Sequence, residues 1–275
     1  TINGSDSIVF ISGRASSTEY TVQDEDGTTP SNLVTAEDDW SIFRAYTSLA
    51  NAEAGTINTA ISALGISFDS WSDGRDLVTN LEQWNIACYG DDVDTTAVEI
   101  NDWTTGEDYY LRVYTPYKTN EVGVSQRHNG VWYDDKYRME ITTYIALINS
   151  ENYVRIDGLQ IKDSFTEVNS SGGIINNATG ASKLYISNNI IWGNATQPTA
   201  AYYGIVSPEE ENIEVYIWNN IIYGFNYNNS GRALNLPGYD LLNQDIYVFN
   251  NTIYDCYEGI YTSDNNSEII VVNNL

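Results

Sequence analysis

"IYVFNNTIYD" runs from Ile246 to Asp255, and it echoes "LYISNNIIWG" (Leu184–Gly193) and "VYIWNNIIYG" (Val215–Gly224). A shortened version, "IIVVNNL", ends at Leu275. Asparagine is a poor strand former, so a pair of them between β-branched and aromatic runs needs a reason. The apolar residues just before each pair are Ile186, Ile217, Val248 and Val271, separated by 31, 31 and 23 residues. "YVRIDGLQI" (Tyr153–Ile161) supplies an earlier unit anchored on Ile156, 30 residues before Ile186. Periods of this size mark a solenoid, each coil one repeat with loop insertions of varying length.

Strand side chains alternate between faces. Val154, Leu184, Val215, Ile246 and Ile269 therefore share the inner face with the anchors, and Arg155, Tyr185, Tyr216, Tyr247 and Ile270 point out. Ile161, Ile191, Ile222 and Ile253 return to the inner face after the pair. Gly158 aligns with Asn188, Asn219, Asn250 and Asn273; glycine exchanging with asparagine predicts a left-handed backbone there. The second position reads Leu159, Asn189, Asn220, Asn251, Asn274, which predicts an inward column joined by an amide ladder. A third strand family lies between the units: "GGIIN" (Gly172–Asn176), "YGIVS" (Tyr203–Ser207), "RALNL" (Arg232–Leu236) and "EGIYT" (Glu258–Thr262). Diverged earlier coils follow the same order through "VEINDWTT", "YYLRVYT", "YRMEIT" and "YIALINS".

The N-terminal part differs. "TSLANAEAGTINTAISALG" (Thr47–Gly65) places Leu49, Ala52, Ile57, Ala60, Ile61 and Leu64 on one helical face, with Gly65 as C-cap. The expectation is one amphipathic helix capping the solenoid. Residues 1–35 hold "SIVFIS", "EYTVQ" and a turn at "DEDG", read as a β flap or the tail of a preceding domain; residues 36–275 are read as capping helix plus solenoid. The first residue is not methionine and the last stretch stops inside a repeat, so a fragment of a longer protein is expected.

These three-strand coils resemble the right-handed parallel β-helix of the pectin-lyase-like superfamily. The order of motifs from Phe43 to Leu275 is similar to that of large surface proteins of environmental bacteria. The resemblance implies an all-β, three-sheet solenoid. It says little of chemistry, because the fold hosts lyases, hydrolases, tailspikes and adhesins. Lyases of this class pair an Arg or Lys base with Asp-bound Ca²⁺, and the polygalacturonase-like enzymes use Asp clusters with Gly-His-Gly; neither pattern is present here. Their cleft runs along the third strand family, whose outward column is expected to read Ile175, Val206, Asn235, Tyr261, without acid or base.

Twelve basic against 38 acidic residues give a net charge of −26. Such a surface repels nucleic acid and anionic membranes and attracts cations; it suits an acidic extracellular or cell-surface protein, or a high-salt habitat. No apolar run reaches the ~20 residues of a membrane span. Cys88 and Cys256 form no metal or redox motif and are expected to be free, buried thiols.

Candidate binding chemistry concentrates in the longest insertion, Pro116–Lys136. It gathers Arg127, the only histidine His128, Trp132, Tyr133, Asp134 and Asp135, flanked by Arg112 and Arg138. One reading is a sugar site of charges and aromatic platforms; the other is a loop folded over the wall, anchored by Trp132, with its charges solvated. A converging Asp/Arg/Lys cluster around His128 or Arg112 would favour an enzyme. Asp91, Asp92 and Asp94 in "GDDVD" offer oxygen ligands at alternating spacing. Such ligands would suit Ca²⁺ as a cofactor; the alternative is a solvated acidic turn. Arg155 and Asp157, two apart, are expected to lie outward on a solvated wall, and the tyrosine stripe either stacks coil on coil or offers a platform. Sequons stand at Asn3, Asn169, Asn177, Asn194, Asn228, Asn250 and Asn265, the Asn250 one in a tight turn. The expected partners are polysaccharide, other copies of this chain or other surface proteins; the favoured reading is a non-catalytic structural or adhesive protein, and the alternative is a polysaccharide lyase or glycoside hydrolase of the pectin-lyase-like class.

Overall fold

The computed structural model describes residues 8–24, 27–30, 41–65, 68, 71, 74–166, 171–196, 202–207, 212–229, 231–236, 244–263 and 268–275. The chain divides into two compact units: Thr1–Ser72 with Pro116–Ser125, and Asp73–Thr115 with Gln126–Leu275.

In the first unit, Phe10–Arg14 and Tyr20–Gln23 form an antiparallel hairpin. The Arg14 N–H donates to the Asn120 carbonyl at 3.0 Å, which ties in the start of the long insertion. The expected single helix is two short ones, Leu49–Glu53 and Thr59–Ser62. Gly55 takes φ +66, and Asn58 then caps the second helix by accepting from Ala60 N–H at 2.9 Å. Breaking the helix rotates its apolar face: Leu49, Ala52 and Ile61 are buried, but Leu64 is exposed.

The second unit is a parallel β-solenoid of about five turns with three sheets. Wall A, before the asparagines, pairs Trp84–Ala87, Leu111–Tyr114, Tyr153–Asp157, Ser182–Ser187, Ile213–Trp218, Gln244–Phe249 and Glu268–Val272 in that order. Wall B, after them, pairs Met139–Ile141, Gln160–Asp163, Ile190–Gly193, Ile221–Tyr223 and Thr252–Tyr254. Wall C pairs Val98–Ile100, Ile145–Asn149, Ser171–Asn176, Tyr202–Val206, Gly231–Leu236 and Glu258–Thr262. A short helix, Leu77–Asn80, precedes wall A and buries Leu77.

The repeat register holds residue for residue. Ile156, Ile186, Ile217, Val248 and Val271 stack as partners. Val154, Leu184, Val215 and Ile246 are buried beside them. Ile161, Ile191 and Ile222 line wall B from inside. Each apolar side chain thus packs on the like side chain one coil away, and full burial of one is worth roughly 1.5–3 kcal/mol.

The corner between walls A and B separates the two asparagines. Gly158, Asn188, Asn219, Asn250 and Asn273 have φ of 85, 54, 56, 55 and 53. Asn189, Asn220 and Asn251 are buried, as is Leu159. Their side chains donate Nδ2 to Oδ1 from Asn189 to Asn220 to Asn251 to Asn274, at 2.9, 3.0 and 2.9 Å. Each Oδ1 also takes the backbone N–H of the residue one coil before, beginning with Leu159 on Asn189 at 2.8 Å. A buried amide, costly when unpaired, is here bonded through both its N–H and its oxygen.

Wall C departs from strict alternation. Gly204 and Ile205 are both buried, as are Ala233 and Leu234. A Cβ on Gly204 would meet the Ala233 carbonyl at 2.5 Å and Ile222 Cγ2 at 2.7 Å, and one on Gly173 would meet Ile191 Cγ2 at 2.6 Å. The small residues of this family are therefore the inner corner, pressed against the isoleucines of wall B. Cys88 and Cys256 are both free; Cys88 is buried and Cys256 only half-buried.

Candidate functional site

The long insertion is shared between the units. Pro116–Ser125 belongs to the first, and residues from Gln126 onward strap the wall of the second. Two of the candidate side chains, Arg112 and Arg127, meet there around a residue read as solvated, Asp157. Arg127 grips it bidentately, Nη1 to Oδ1 at 2.9 Å and Nη2 to Oδ2 at 2.8 Å. Arg112 donates to Oδ2 at 3.1 Å, while Ser187 Oγ and Asn188 Nδ2 reach Oδ1 at 3.1 and 2.8 Å. Asp157 is thus a partly buried hub rather than a solvated wall residue. Burial would raise its carboxyl; the hydrogen bonds and charge of Arg127, with Asn188 and Arg112, outweigh this and hold it below the usual carboxylate range. Arg155 does not pair with it but lies over the Tyr110 ring at 3.7 Å.

The strap explains Gly158. A Cβ there would fall 2.1 Å from Arg127 Nε and 2.4 Å from Thr115 Oγ1. Arg127 Nε donates to Thr115 Oγ1 at 3.0 Å, and that hydroxyl donates to the Gly158 carbonyl at 2.7 Å. His128 is buried, with Nδ1 accepting from Gly130 N–H at 3.2 Å. Burial, helped by Arg127 and Lys136, pushes its pKa down to about 4, against opposing contributions from the Asn188 backbone and Asp157. Gln160 of wall B holds the strap again, Oε1 on Tyr133 N–H at 2.7 Å and Nε2 on the Tyr133 and Tyr137 carbonyls at 2.9 and 3.1 Å.

The other candidates are scattered along the strap. Trp132 is half-buried edge-on to Trp192, centroids 5.5 Å apart, and its Nε1 donates to Asp134 Oδ1 at 3.1 Å. Arg138 pairs with Glu140 at 2.8 Å and donates to the Asp134 carbonyl. Tyr133 O–H donates to Asn129 Oδ1 at 3.0 Å. Asp135 is exposed. Arg127 and Arg138 are thus paired, while Asp134 and Asp135 stand exposed. A converging Asp/Arg cluster does form beside His128 and Arg112, yet its carboxylate already accepts five hydrogen bonds and offers no free acid or base.

The three aspartates of "GDDVD" do not converge. Asp91 and Asp92 are exposed, and Asp92 Oδ1 accepts from Val93 N–H at 2.7 Å. Asp94 turns inward, because its backbone bridges to Met139, and accepts from Tyr137 O–H at 3.0 Å and Thr96 N–H at 3.1 Å. Among the described residues no three His, Cys, Asp or Glu side chains gather as a metal-binding group. The acidic loop "PEEEN" lies outside the described residues from Pro208 to Glu211, as do the sequon asparagines Asn3, Asn169 and Asn265; Asn177 and Asn194 are exposed. "DEDG" closes as a turn, Gly27 N–H on the Asp24 carbonyl at 2.9 Å, with Glu25 and Asp26 outside the described residues.

The outward aromatics stack coil on coil. Tyr185–Tyr216 and Tyr216–Tyr247 on wall A have centroids 5.0 and 4.7 Å apart and planes within 12° and 10°. Trp218–Phe249 stacks beside them at 5.8 Å. Wall B adds Trp192–Tyr223 and Tyr223–Tyr254 at 5.6 and 4.8 Å. An aromatic platform for a sugar must offer a ring face; Tyr216 and Tyr223 have both faces covered by neighbouring rings, while Tyr254 at the end of its stack is exposed.

Wall C holds a cluster that strict alternation concealed. The expected outward column Ile175–Val206–Asn235–Tyr261 is in register. Because two successive residues turn inward at the corner, Tyr203, Arg232 and Glu258 also line up on the outer side. Arg232 lies over Tyr261 at 3.5 Å, faces Tyr203 at 5.7 Å, and bonds Glu258 at 2.6 Å and Asn235 at 2.9 Å. The signal available in the sequence was the small residue before each inner aliphatic one. Among the described residues, no helix is long and apolar enough to cross a membrane. Comparison with protein-family models, curated proteins and solved structures returns no match.

Proposed function

We propose that this chain is a non-catalytic structural or adhesive β-helix protein of the extracellular space or cell surface, with a pectin-lyase-like ancestry. The observation that carries this reading is where the candidate side chains are spent. Arg112, Arg127 and Asp157 fasten a strap to the wall, and the tyrosines stack on each other. Groups so engaged stiffen the solenoid wall rather than stand free as an acid–base pair. The charge of −26 keeps such a surface hydrated and apart from nucleic acid and anionic lipid. Its partners on this reading are polysaccharide or other surface proteins, including further copies of the chain.

A second reading is a polysaccharide lyase or hydrolase acting at wall C. The Tyr203–Arg232–Tyr261 sandwich with Glu258 favours it, since an arginine and a carboxylate flanked by rings suit an anionic sugar. Incubation with neutral and uronic acid polysaccharides separates the two. No release of reducing ends or unsaturated uronides is expected. Release that disappears in Arg232→Ala would overturn the non-catalytic reading. Retardation in a polysaccharide gel, lost in the same variant, would make wall C the adhesive face.

A further inference from the structure

The strap contains "HNG", His128–Asn129–Gly130, next to the Arg127 clasp. Asn129 is exposed while His128 is buried. The Gly130 N–H points at His128 Nδ1, 3.2 Å away, and the Tyr133 O–H donates to Asn129 Oδ1 at 3.0 Å. A side-chain amide thus has its oxygen polarised by a phenol, and the next backbone nitrogen has its proton aimed at an imidazole. We propose that Asn129–Gly130 is a self-modifying site, at which His128 and Tyr133 promote conversion of the asparagine through a cyclic imide.

The atoms balance without an oxidant or cofactor. Gly130 N attacks Asn129 Cγ, and its proton passes to His128 Nδ1. The Cγ–Nδ2 bond breaks and ammonia leaves, carrying that proton. The five-membered succinimide is then opened by water at either carbonyl, giving aspartate or isoaspartate at position 129. The sum is amide plus water to acid plus ammonia. Tyr133 O–H stabilises the negative charge that develops on Oδ1 during attack, as donors placed at a developing oxyanion do. His128 acts as general base, and its burial keeps the ring in the neutral, accepting form near pH 7.

The fold fixes both helpers. Tyr133 is held through its backbone by Gln160, and His128 follows Arg127, which is locked on Asp157. Gly130 has φ +94, a conformation that a side chain would strain. The same residues in an unfolded chain have no such arrangement, so folding should accelerate the reaction. The product sets a carboxylate, or an isoaspartyl backbone, two residues from the Arg127 clasp.

The test follows the Asn129 peptide by mass spectrometry with isoaspartate detection, in the purified full chain near neutral pH. The same chain unfolded in urea is the reference. The folded chain should convert on the order of tenfold faster, below the ~10²–10⁴-fold of fully evolved general acid–base catalysis. Tyr133→Phe keeps the ring and the backbone bonds to Gln160 and should bring the rate back to the unfolded value; His128→Gln should do the same. A folded rate equal to or below the unfolded one, or a rate untouched by Tyr133→Phe in a chain whose circular dichroism is native, overturns the proposal.

Discussion

Asn189 and Asn220 meet through one oxygen. Asn220 Oδ1 accepts the Asn189 side-chain N–H at 2.9 Å and the Asn189 backbone N–H at 3.0 Å. Asn220 Nδ2 in turn donates to the Ile186 carbonyl and to Asn251 Oδ1, both at 3.0 Å. Asn220→Ala orphans buried groups on both neighbouring coils. Each costs about 1–3 kcal/mol, and a total of about 3–5 kcal/mol is expected once relaxation is allowed. Urea unfolding of the variant measures this, and a loss below about 1 kcal/mol would mean that the ladder is not a main support of the corner.

Gly158 stands where four later coils carry asparagine, so a consensus substitution would read Gly158→Asn. It should fail here. The left-handed φ tolerates asparagine, but Arg127 occupies the Cβ position. Displacing the guanidinium breaks charged hydrogen bonds worth about 1.5–3 kcal/mol, and the thermal midpoint should drop. The reverse change, Asn188→Gly, keeps the φ and loses mainly the bond to Asp157, so it should cost less.

His128 should make stability depend on pH. Its folded pKa, lowered by burial to about 4, lies below the ordinary 6.5. Between those values the unfolded chain binds more protons, so stability rises with pH there. Acidification through this window should remove up to about 3 kcal/mol. Asp157, held below the usual range, contributes above the unfolded carboxylate value near 3.9 and loses its contribution only at lower pH. Urea midpoints at neutral pH and near pH 5, compared between wild type and His128→Gln, isolate the histidine. Equal pH slopes in the two proteins would remove it as the cause.

Tyr216 has a tyrosine on each face. Tyr216→Ala deletes two stacked pairs, each worth about 0.5–1.5 kcal/mol beyond area, so about 1–3 kcal/mol should be lost. Polysaccharide retention, if measurable, should be unchanged. Weaker retention in a natively folded Tyr216→Ala would show that the stripe touches the ligand.

Most of the solenoid was legible because a repeat states the same constraint several times. Ile156, Ile186, Ile217 and Val248 had to share a face, and the pleat of period two then assigned every neighbour. The corner was legible for a similar reason: Gly158 against Asn188 reports backbone angle, and Leu159 against Asn189 reports burial. The site was far less legible. Arg127 and Asp157 are 30 residues apart and occur once each in the pattern, so no second copy of the chain's own repeat shows that they meet. The break at Gly55 escaped the apolar period, since Ile57 and Ile61 keep helical spacing across the interruption.

By itself the sequence determined the coil, its register and the separate duties of the paired asparagines, because local backbone preference and alternating burial act within a few residues and recur with each turn. Only the tertiary structure decided what the non-repeating charges do. The pairing of Arg127 with Asp157 depends on how an insertion folds back on the wall, and the alignment of Arg232 with Glu258 on two successive inward residues at the wall C corner; at such distances along the chain electrostatics and packing are set by three-dimensional proximity, which strict alternation does not encode.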